Sequence, residues 1–281
     1  MALQDFKKRL YEEKNYDFTL LYNARNIRRK CVPDLMLAWK IFVDELPKEK
    51  AEKCALVMHT QIVDDNGTDL QAVKDMMFGR DSRYNIIFDQ NKYPSNIMNL
   101  LYNVIDATAL VSSNEGWGLS LTEAMMCGKP IIATVTGGMQ DQMRFEDENG
   151  KWIDFDENFC SNHFGTYQKC GEWTIPVFPK SMSVQGSVQT PYIFDDRIDF
   201  RDAADAIMKM YELGNEERKR RGKLAHNWVT SDESMMTAEN MSKNVIKHVN
   251  KVLENWKPKP KFELIKTQPL KKKHLRHKLT Y

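Results

Sequence analysis

The stretch NEGWGLSLTEAMMCGKPIIATVTGG, residues 114–138, decides the fold of this chain. It places two carboxylates, Glu115 and Glu123, eight positions apart around a glycine-containing turn at 116–118. The pattern predicts a helix over residues 119–127, because a glycine and a proline follow as stop signals. Backbone amides at the start of such a helix, together with its dipole, attract anions. The sequence therefore predicts an anion site flanked by carboxylates, which suits a ligand that carries both phosphate and hydroxyl groups.

Strands and helices alternate on both sides of this stretch. Apolar runs predict strands at 17–23, 54–59, 84–88, 107–111 and 130–133. Amphipathic runs between them predict helices at 33–46, 69–78 and 95–103. Short links between alternating strands and helices are typical of a parallel sheet covered on both faces. We therefore expect an α/β fold, a Rossmann-like doubly wound parallel sheet.

The rest of the chain has other patterns. Residues 155–197 show no clear period and predict an irregular insertion, and long segments of this kind often serve as lids or binding loops. Further helices are predicted at 199–213, 215–228 and 235–256. The expected organisation is an N-terminal helix at 1–15, a core at 16–154, an insertion at 155–197, C-terminal helices at 198–256 and a basic disordered tail at 257–281.

The composition is that of a soluble globular protein, since 42% of residues are hydrophobic and 28% are charged. The N-terminus has no signal-peptide hydrophobic stretch, and no apolar run is long enough to span a bilayer. Five scattered cysteines favour a reducing compartment over a disulfide framework. We therefore expect a cytoplasmic protein.

The net charge of +2 conceals an asymmetry. Residues 257–281 carry nine Lys or Arg against one acid, Glu263, so this tail has a charge of +8 and the remainder −6. Two interpretations stay open: a solubilising disordered end, or peripheral association with an anionic membrane or another polyanion. Few aromatic residues accompany these charges, so specific nucleic-acid recognition is not expected.

Three features suggest metal or ligand chemistry only weakly. Cys160, His163 and Cys170 lack an evident fourth ligand for zinc. Residues 64–69 resemble a calcium loop but lack its closing bidentate Glu, so their acids are interpreted as turn and cap residues. His59 is interpreted as structural, although it ends a strand where ligands lie in this fold class. We therefore expect no metal site.

The opening stretch resembles the E-x7-E motif of retaining glycosyltransferases of GT-B architecture (glycosyl transferases group 1). The resemblance covers about residues 17–154 and resumes weakly at 199–228. The GKP turn, the strand IIAT and the turn Gly137-Gly138 follow in the family's order, and 148–150 matches the family's NG before its next strand. In that family this half of the enzyme, the C-terminal one, holds the nucleotide-sugar donor, and the resemblance implies the same here.

The resemblance implies a role for each carboxylate. Glu123 would accept hydrogen bonds from the donor ribose hydroxyls, and Glu115 would bind the hydroxyls of the transferred sugar. The alternatives are a helix-start acid for Glu123 and a solvated loop acid for Glu115. Further donor contacts are expected along the turn and the helix start, at Gly116, Trp117, Gly118, Leu119 and Ser120. The Trp117 ring is interpreted as packing that shapes the turn more than as a sugar-stacking surface.

Arg25 and Lys30 follow the first strand as R-x4-K and match the basic pair with which the family grips the donor diphosphate. A departing nucleoside diphosphate develops negative charge, which preplaced cations stabilise. Arg28 and Arg29 lie in the same run, so solvated charge is the alternative interpretation. We take Glu115, Arg25 and Lys30 as the catalytic candidates and give Arg28 and Arg29 less weight.

In the resembling family an acceptor-binding half precedes the donor half. Here the donor pattern follows directly after the helix predicted at 2–14, so we expect the acceptor half to come from a protein partner or a longer parent chain. The last predicted helix has an apolar face formed by Met241, Val245, Val249, Val252 and Trp256. That face is either an interface for the acceptor half or ordinary packing against the chain's own sheet.

The resemblance thus implies transfer of a hexose from a nucleotide diphosphate sugar to an unknown acceptor, with retention and without metal or cofactor. The main alternative is a non-catalytic nucleotide-sugar-binding or assembly subunit. A third hypothesis is a sugar-nucleotide epimerase of the same architecture. The combination of the R-x4-K and E-x7-E motifs argues against it. The sequence does not identify the base, the sugar or the acceptor, and the loop 89–91 is the candidate for the base contact.

Overall fold

The computed structural model describes residues 2–186, 188–189, 192–259 and 262. Contacts divide the chain into two units, one up to Thr237 and one from Ala238 onward. The basic tail predicted from residue 257 lies almost wholly outside the described residues. Among the described helices, none combines the length and the apolar character that a membrane span requires.

The first unit contains a six-stranded sheet in which every pair of neighbouring strands is parallel. The first five strands lie within one residue of the predicted ones. The strands are β1 (Phe18–Asn23), β2 (Cys54–His59), β3 (Asn85–Asp89), β4 (Ala107–Leu110), β5 (Ile131–Thr134) and β6 (Thr174–Val177).

Helices cover both faces of this sheet, which confirms the predicted Rossmann-like α/β fold. Helix α1 packs on α5, α2 packs on α4 and α8, and α6 packs on α9. The described helices of the first unit are α1 (Leu3–Leu10), α2 (Val32–Asp44), α3 (Lys48–Ala51), α4 (Leu70–Phe78), α5 (Ser95–Val104), α6 (Leu119–Met126), α7 (Met139–Met143), α8 (Phe200–Glu212) and α9 (Gly214–Val229). The second unit contains helix α10 (Ala238–Asn255).

An aromatic cluster joins β1, α2 and α8. Trp39 and Phe42 have ring centroids 5.0 Å apart, and both pack on Phe18. Tyr211 lies at the end of α8 and contacts Phe18 and Phe42 edge-on. Fully buried aromatic side chains contribute large apolar areas to a core. This cluster therefore holds helix α8, which follows the last strand in the chain, against the sheet of the first unit.

The strand order is β3-β2-β1-β4-β5-β6, so the direction of winding reverses between β1 and β4. These two strands pair over a short register, Leu20 with Ala107 and Leu21 with Thr108. In open parallel sheets, ligands bind outside the carboxyl ends of the strands where the order reverses. The two segments that carry the sequence motifs leave the sheet at this point.

The segment 155–197, predicted to be irregular, contains three strands. Strand β6 pairs with β5, and β7 (Ser181–Gln185) forms an antiparallel hairpin with β8 (Ile193–Arg197). Strand β6 has only four residues and includes Pro176, which a sheet tolerates here because β6 is an edge strand. Short strands with few apolar residues give a weak periodic signal, so the sequence pattern did not show them.

The contact between α9 and α6 gives a testable prediction about packing. A Cβ atom on Gly222 of α9 would lie 1.9 Å from the backbone oxygen of Gly128. We expect Gly222→Ala to reduce the free energy of unfolding by about 1–2 kcal/mol, because the steric cost outweighs the gain in helix propensity. Urea unfolding measures this, with Lys223→Ala on the exposed face of α9 as the control. Equal stability of Gly222→Ala and the wild type would show that this packing is loose.

Candidate functional site

A cavity of about 620 Å³ lies at the carboxyl ends of β1 and β4. The segment after β1 contributes Asn23, Ala24, Arg25, Ile27, Arg29 and Lys30 to its lining. The segment after β4 and the start of α6 contribute Glu115, Trp117, Gly118, Leu119, Ser120 and Glu123. The structure therefore brings together every predicted site residue except Gly116, which lies in the same turn without lining the cavity.

Glu115 is buried and pairs with two cations from the opposite wall. Its Oε1 contacts Lys30 Nζ, and its Oε2 lies 2.8 Å from Arg29 Nη1. Burial acts to raise the pKa of Glu115, but the hydrogen bonds from Lys30 and Arg29 outweigh it and hold the pKa below its usual range. The carboxylate is therefore ionised at neutral pH. Two cations around one carboxylate leave this part of the cavity positively charged.

A 3-10 turn over Arg28–Lys30 directs these side chains. Cys31 ends the turn in the left-handed region with φ 51°, and α2 begins directly after it. The turn is tied to the segment after β4, because the Ser113 amide donates to the Arg29 carbonyl at 2.8 Å. Arg28 leaves the cavity and pairs with the buried Asp195 at 2.5 Å. Of the two arginines given less weight from sequence, Arg29 therefore belongs to the cavity.

Arg25 lines the cavity but is paired elsewhere. Its Nε lies 2.6 Å from Asp64 Oδ2, and its side chain is 60% exposed. The hydrogen bond to Asp64 raises the pKa of the guanidinium. Asp64 also accepts from the Asn66 amide, as expected for a turn residue. The structure thus places Lys30 and Arg29 at Glu115 and places Arg25 at the edge of the cavity with its charge compensated.

Glu123 lies in the second turn of α6 and is held by a hydrogen-bonded chain. The Tyr102 hydroxyl donates to Glu123 Oε2 at 2.6 Å and accepts from Asn23 Nδ2 at 2.7 Å. Burial first, and then the Glu123 carboxylate, raise the pKa of Tyr102, so the hydroxyl remains a donor. The sequence analysis missed Tyr102 and Asn23, because partners this distant along the chain leave no local pattern.

Two glycines hold the turn that follows Glu115. A Cβ atom on Gly137 would lie 1.9 Å from the Glu115 carbonyl oxygen, and one on Gly138 would lie 2.2 Å from that of Gly116. The Gly138 amide also donates to the Glu115 carbonyl at 3.1 Å. This close approach of two backbones explains why glycines stand at both positions. The turn therefore depends on the segment after β5.

Trp117 is fixed by buried polar groups behind the turn. Its Nε1 donates to Thr122 Oγ1 at 2.8 Å, and Thr122 in turn donates to Gln142 Oε1 at 2.8 Å. Gln142 Nε2 donates back to the Trp117 carbonyl at 2.5 Å. Gly118 has a left-handed backbone conformation, and helix α6 begins directly after it. No described side chain caps this helix. The first residues of α6 line the cavity, and no described side chain occupies their amides.

A second cavity of about 490 Å³ adjoins the first at residues 23–25 and extends along the ends of β2 and β3. His59 Nδ1 lies 3.2 Å from Asp89 Oδ2, and the His59 ring stacks on Tyr93. Burial acts to raise the pKa of Asp89, but hydrogen bonds from His59 and Asn91 hold it below its usual range. The predicted loop 89–91 lines this cavity. Among the described residues, no group of His, Cys, Asp or Glu is arranged to hold a metal ion.

A sequence profile of the family described as glycosyl transferases group 1 matches residues 4–158, which is more than half of the chain. The chain belongs to this family. Curated relatives include D-inositol 3-phosphate glycosyltransferases of Xylanimonas cellulosilytica and Thermomonospora curvata, each 38% identical over 53 residues. These matches cover 19% of this chain and only 12% of each relative.

Solved structures with a similar fold include sucrose-phosphate synthase from Thermosynechococcus elongatus, with a TM-score of 0.57 at 15% identity. Anabaena Alr3699/HepE, in complex with UDP and glucose, has a TM-score of 0.54 at 14% identity. The two alignments include 90% and 91% of this chain, but only 51% and 53% of the two longer chains.

The C-terminal domain of a group 1 glycosyl transferase (LpcC) from Francisella tularensis matches over 96% of its own length and 82% of this chain, with a TM-score of 0.51 at 19% identity. At these identities the likeness shows the fold alone, the Rossmann-like fold of GT-B glycosyltransferases. The chain spans about half the length of the two longer structures.

The pairing of Glu115 predicts a pH dependence of stability. Its pKa in the folded chain lies below the ordinary value of 4.5, so its contribution is complete above that pH and is lost as the pH falls through the lowered pKa. At pH 7 we expect Glu115→Gln to reduce the free energy of unfolding by about 2 kcal/mol, because two cations lose their partner. The difference from the wild type should shrink below pH 4.5.

Urea unfolding from pH 7 to pH 3 measures that difference, with Glu49→Gln on the exposed face of α3 as the control. The control should match the wild type at each pH. A difference between Glu115→Gln and the wild type that stays constant across this range would contradict the lowered pKa.

Proposed function

We propose that this chain is the donor-binding half of a retaining, metal-independent glycosyltransferase that transfers a hexose from a nucleotide diphosphate sugar. One observation carries the proposal: cations from the segment after β1 and two carboxylates around the start of α6 line a single cavity where the strand order reverses. A nucleotide diphosphate sugar carries the complementary groups, which are phosphates, a ribose and a sugar. The acceptor half would come from a partner or a longer parent chain, since the chain spans about half of the similar solved enzymes.

The diphosphate would lie against Lys30, Arg29 and the first amides of α6. Lys30 and Arg29 share one carboxylate, so their combined charge exceeds that of Glu115. Hydrogen bonds from charged donors to phosphate are short and strong. The same donors would stabilise the charge that develops on the departing nucleoside diphosphate. Arg25 would join them only by exchanging Asp64 for phosphate, since that carboxylate now compensates it.

The two carboxylates would hold hydroxyl groups. Tyr102 occupies one oxygen of Glu123, which fixes the carboxylate while leaving acceptor capacity for the ribose diol. Glu115 lies deeper, between the cations and the glycine turn, and would accept from the transferred sugar. The adjoining cavity at His59, Asp89 and Asn91 would take the base. This arrangement orders the base, the ribose, the diphosphate and the sugar along the carboxyl edge of the sheet.

One route to retention uses a group that accepts the acceptor's proton on the face from which the leaving group departs. In the proposed reaction a donor phosphate oxygen helps to remove that proton while the bond between sugar and phosphate breaks. The new bond then forms on the same face. The protein's part is to hold the diphosphate and to offset its growing charge.

Calorimetric titration with UDP, GDP and ADP tests the donor site. We expect at least one nucleotide to bind and Lys30→Ala to weaken it by roughly 10-fold to 100-fold, because a charge-assisted hydrogen bond is worth about 1.5–3 kcal/mol. Glu123→Gln should weaken the same nucleotide by a smaller factor, since a neutral amide is a poorer partner for a diol. Lys50→Ala, an exposed lysine of α3, is the matched control. If none of the three nucleotides binds the wild type, the proposed donor site is wrong.

The alternative function is that of a non-catalytic nucleotide-sugar-binding or assembly subunit. A chain that spans only half the length of the similar solved structures is also consistent with this function. Both functions give the same nucleotide titration. They differ in turnover: an enzyme releases or transfers sugar from a bound donor, alone or with an added acceptor half. Proton NMR of the product would show the anomeric configuration, and an inverted product would contradict retention.

A further inference from the structure

The amino edge of the sheet, opposite the donor cavity, contains a separate cavity of about 450 Å³. It lies between α1, the residues that precede β4 and β5, and the start of α9. Four cationic side chains line it: Lys7, Lys129, Arg218 and Lys219. None of them lines the donor cavity described above. Lys129 belongs to the GKP turn that follows α6, and the other three lie outside the sequence motifs.

Few carboxylates compensate this positive charge. Asp106 is the one acid among the residues that line the cavity, and its Oδ2 already accepts from the Thr19 amide and hydroxyl, both at 2.8 Å. Lys219 pairs with Glu216 on the exposed side of α9 at 2.9 Å. Within the described part of the chain, Lys7 and Lys129 form no ion pair. With Lys219 paired to Glu216, three cations against one carboxylate leave the lining with two net positive charges.

Arg218 is the buried member of this set, with 4% of its surface exposed. Its Nη1 and Nη2 donate only to backbone carbonyls, those of Met210, Tyr211 and Asp17. Its Nε is buried and has no hydrogen-bond partner among the described residues. Asp106 lies nearby but does not pair with the guanidinium directly, and a buried guanidinium with no direct ion pair and with an unsatisfied N–H is costly. An anion in the adjoining cavity would supply the missing charge.

Lys129 also forms no direct ion pair within the described part of the chain. Its Nζ donates to the Asn103 carbonyl at 3.1 Å, but a neutral carbonyl does not neutralise the charge of the lysine. Burial, together with the nearby charges of Lys219 and Lys7, lowers the pKa of this amine in spite of Asp106. Lysines that repel one another across a cavity are stabilised when an anion lies between them.

We propose that this cavity binds a phosphate group through Lys7, Lys129 and Arg218. Cationic N–H donors on several sides match the acceptor oxygens of a tetrahedral anion. The phosphate belongs either to a small phosphorylated molecule or to the headgroup of an anionic lipid, because the recognising chemistry is the same for both. The site lies at the opposite edge of the sheet from the donor cavity, so its ligand does not compete with the donor.

Titration with inorganic phosphate, followed by phosphorus NMR and calorimetry, tests the site. We expect the double variant Lys7→Gln/Lys129→Gln to raise the Kd by about 10-fold or more, since two charge-assisted hydrogen bonds are lost. Lys8→Gln on α1 and Lys223→Gln on α9 are matched controls outside the cavity. Lys30→Ala weakens any phosphate binding in the donor cavity, so binding that this variant retains and the double variant loses belongs to the amino-edge site. Circular dichroism checks folding, and Lys7→Gln alone serves if the double variant fails to fold.

Sedimentation with vesicles of phosphatidylcholine, with and without phosphatidic acid, distinguishes the two sources. The full chain is used throughout, and the double variant is compared with the Lys8→Gln control because the basic tail is the same in both. Vesicle binding that the double variant loses assigns a lipid headgroup, whereas an effect on free phosphate alone assigns a small molecule. The proposal fails if the double variant matches its controls in both assays, or if only Lys30→Ala abolishes phosphate binding.

Discussion

Glu115 lies between Lys30 and Arg29, so one buried carboxylate joins the segment that follows β1 to the segment that follows β4. These strands are the pair at which the winding of the sheet reverses, and the crevice between their ends is the place where a ligand fits. The ion pair and the hydrogen bond from Ser113 to Arg29 hold the two walls together. Because protein contacts already fix these groups, a bound diphosphate would need only an exchange of partners.

The rest of the site depends on backbone packing behind that ion pair. Gly137 and Gly138 allow the segment after β5 to approach the turn after Glu115 closely, and Gln142 holds the Trp117 carbonyl. Helix α6 then begins beside the cavity, and Glu123 in its second turn lines the same cavity. The two edges of the sheet differ in how far their cations are compensated. The carboxyl edge presents cations that are partly compensated, and the amino edge presents cations that largely are not.

The sequence predicted the sheet well because β1 to β5 are apolar runs separated by amphipathic helices, a strong periodic signal. It also predicted which side chains meet at the carboxyl edge, since parallel strands bring their ends together. It missed β6, whose four residues include a proline, and the hairpin of β7 and β8. It gave Arg29 less weight than Arg25, whereas Arg29 is the one that pairs with Glu115, and it did not anticipate Asp64 or Tyr102 as partners of Arg25 and Glu123. Pairings of this kind depend on side-chain geometry in the folded chain, which local sequence patterns do not contain.

The central claim is that the crevice between β1 and β4 is the donor-diphosphate site. Amide NMR spectra of the labelled chain, recorded during titration with the nucleotide that binds, test it most directly. The largest shift changes are expected at residues 25–30 and 116–123, with smaller changes at 89–91. Saturable changes confined to other parts of the chain, with these three segments unaffected, would contradict the account.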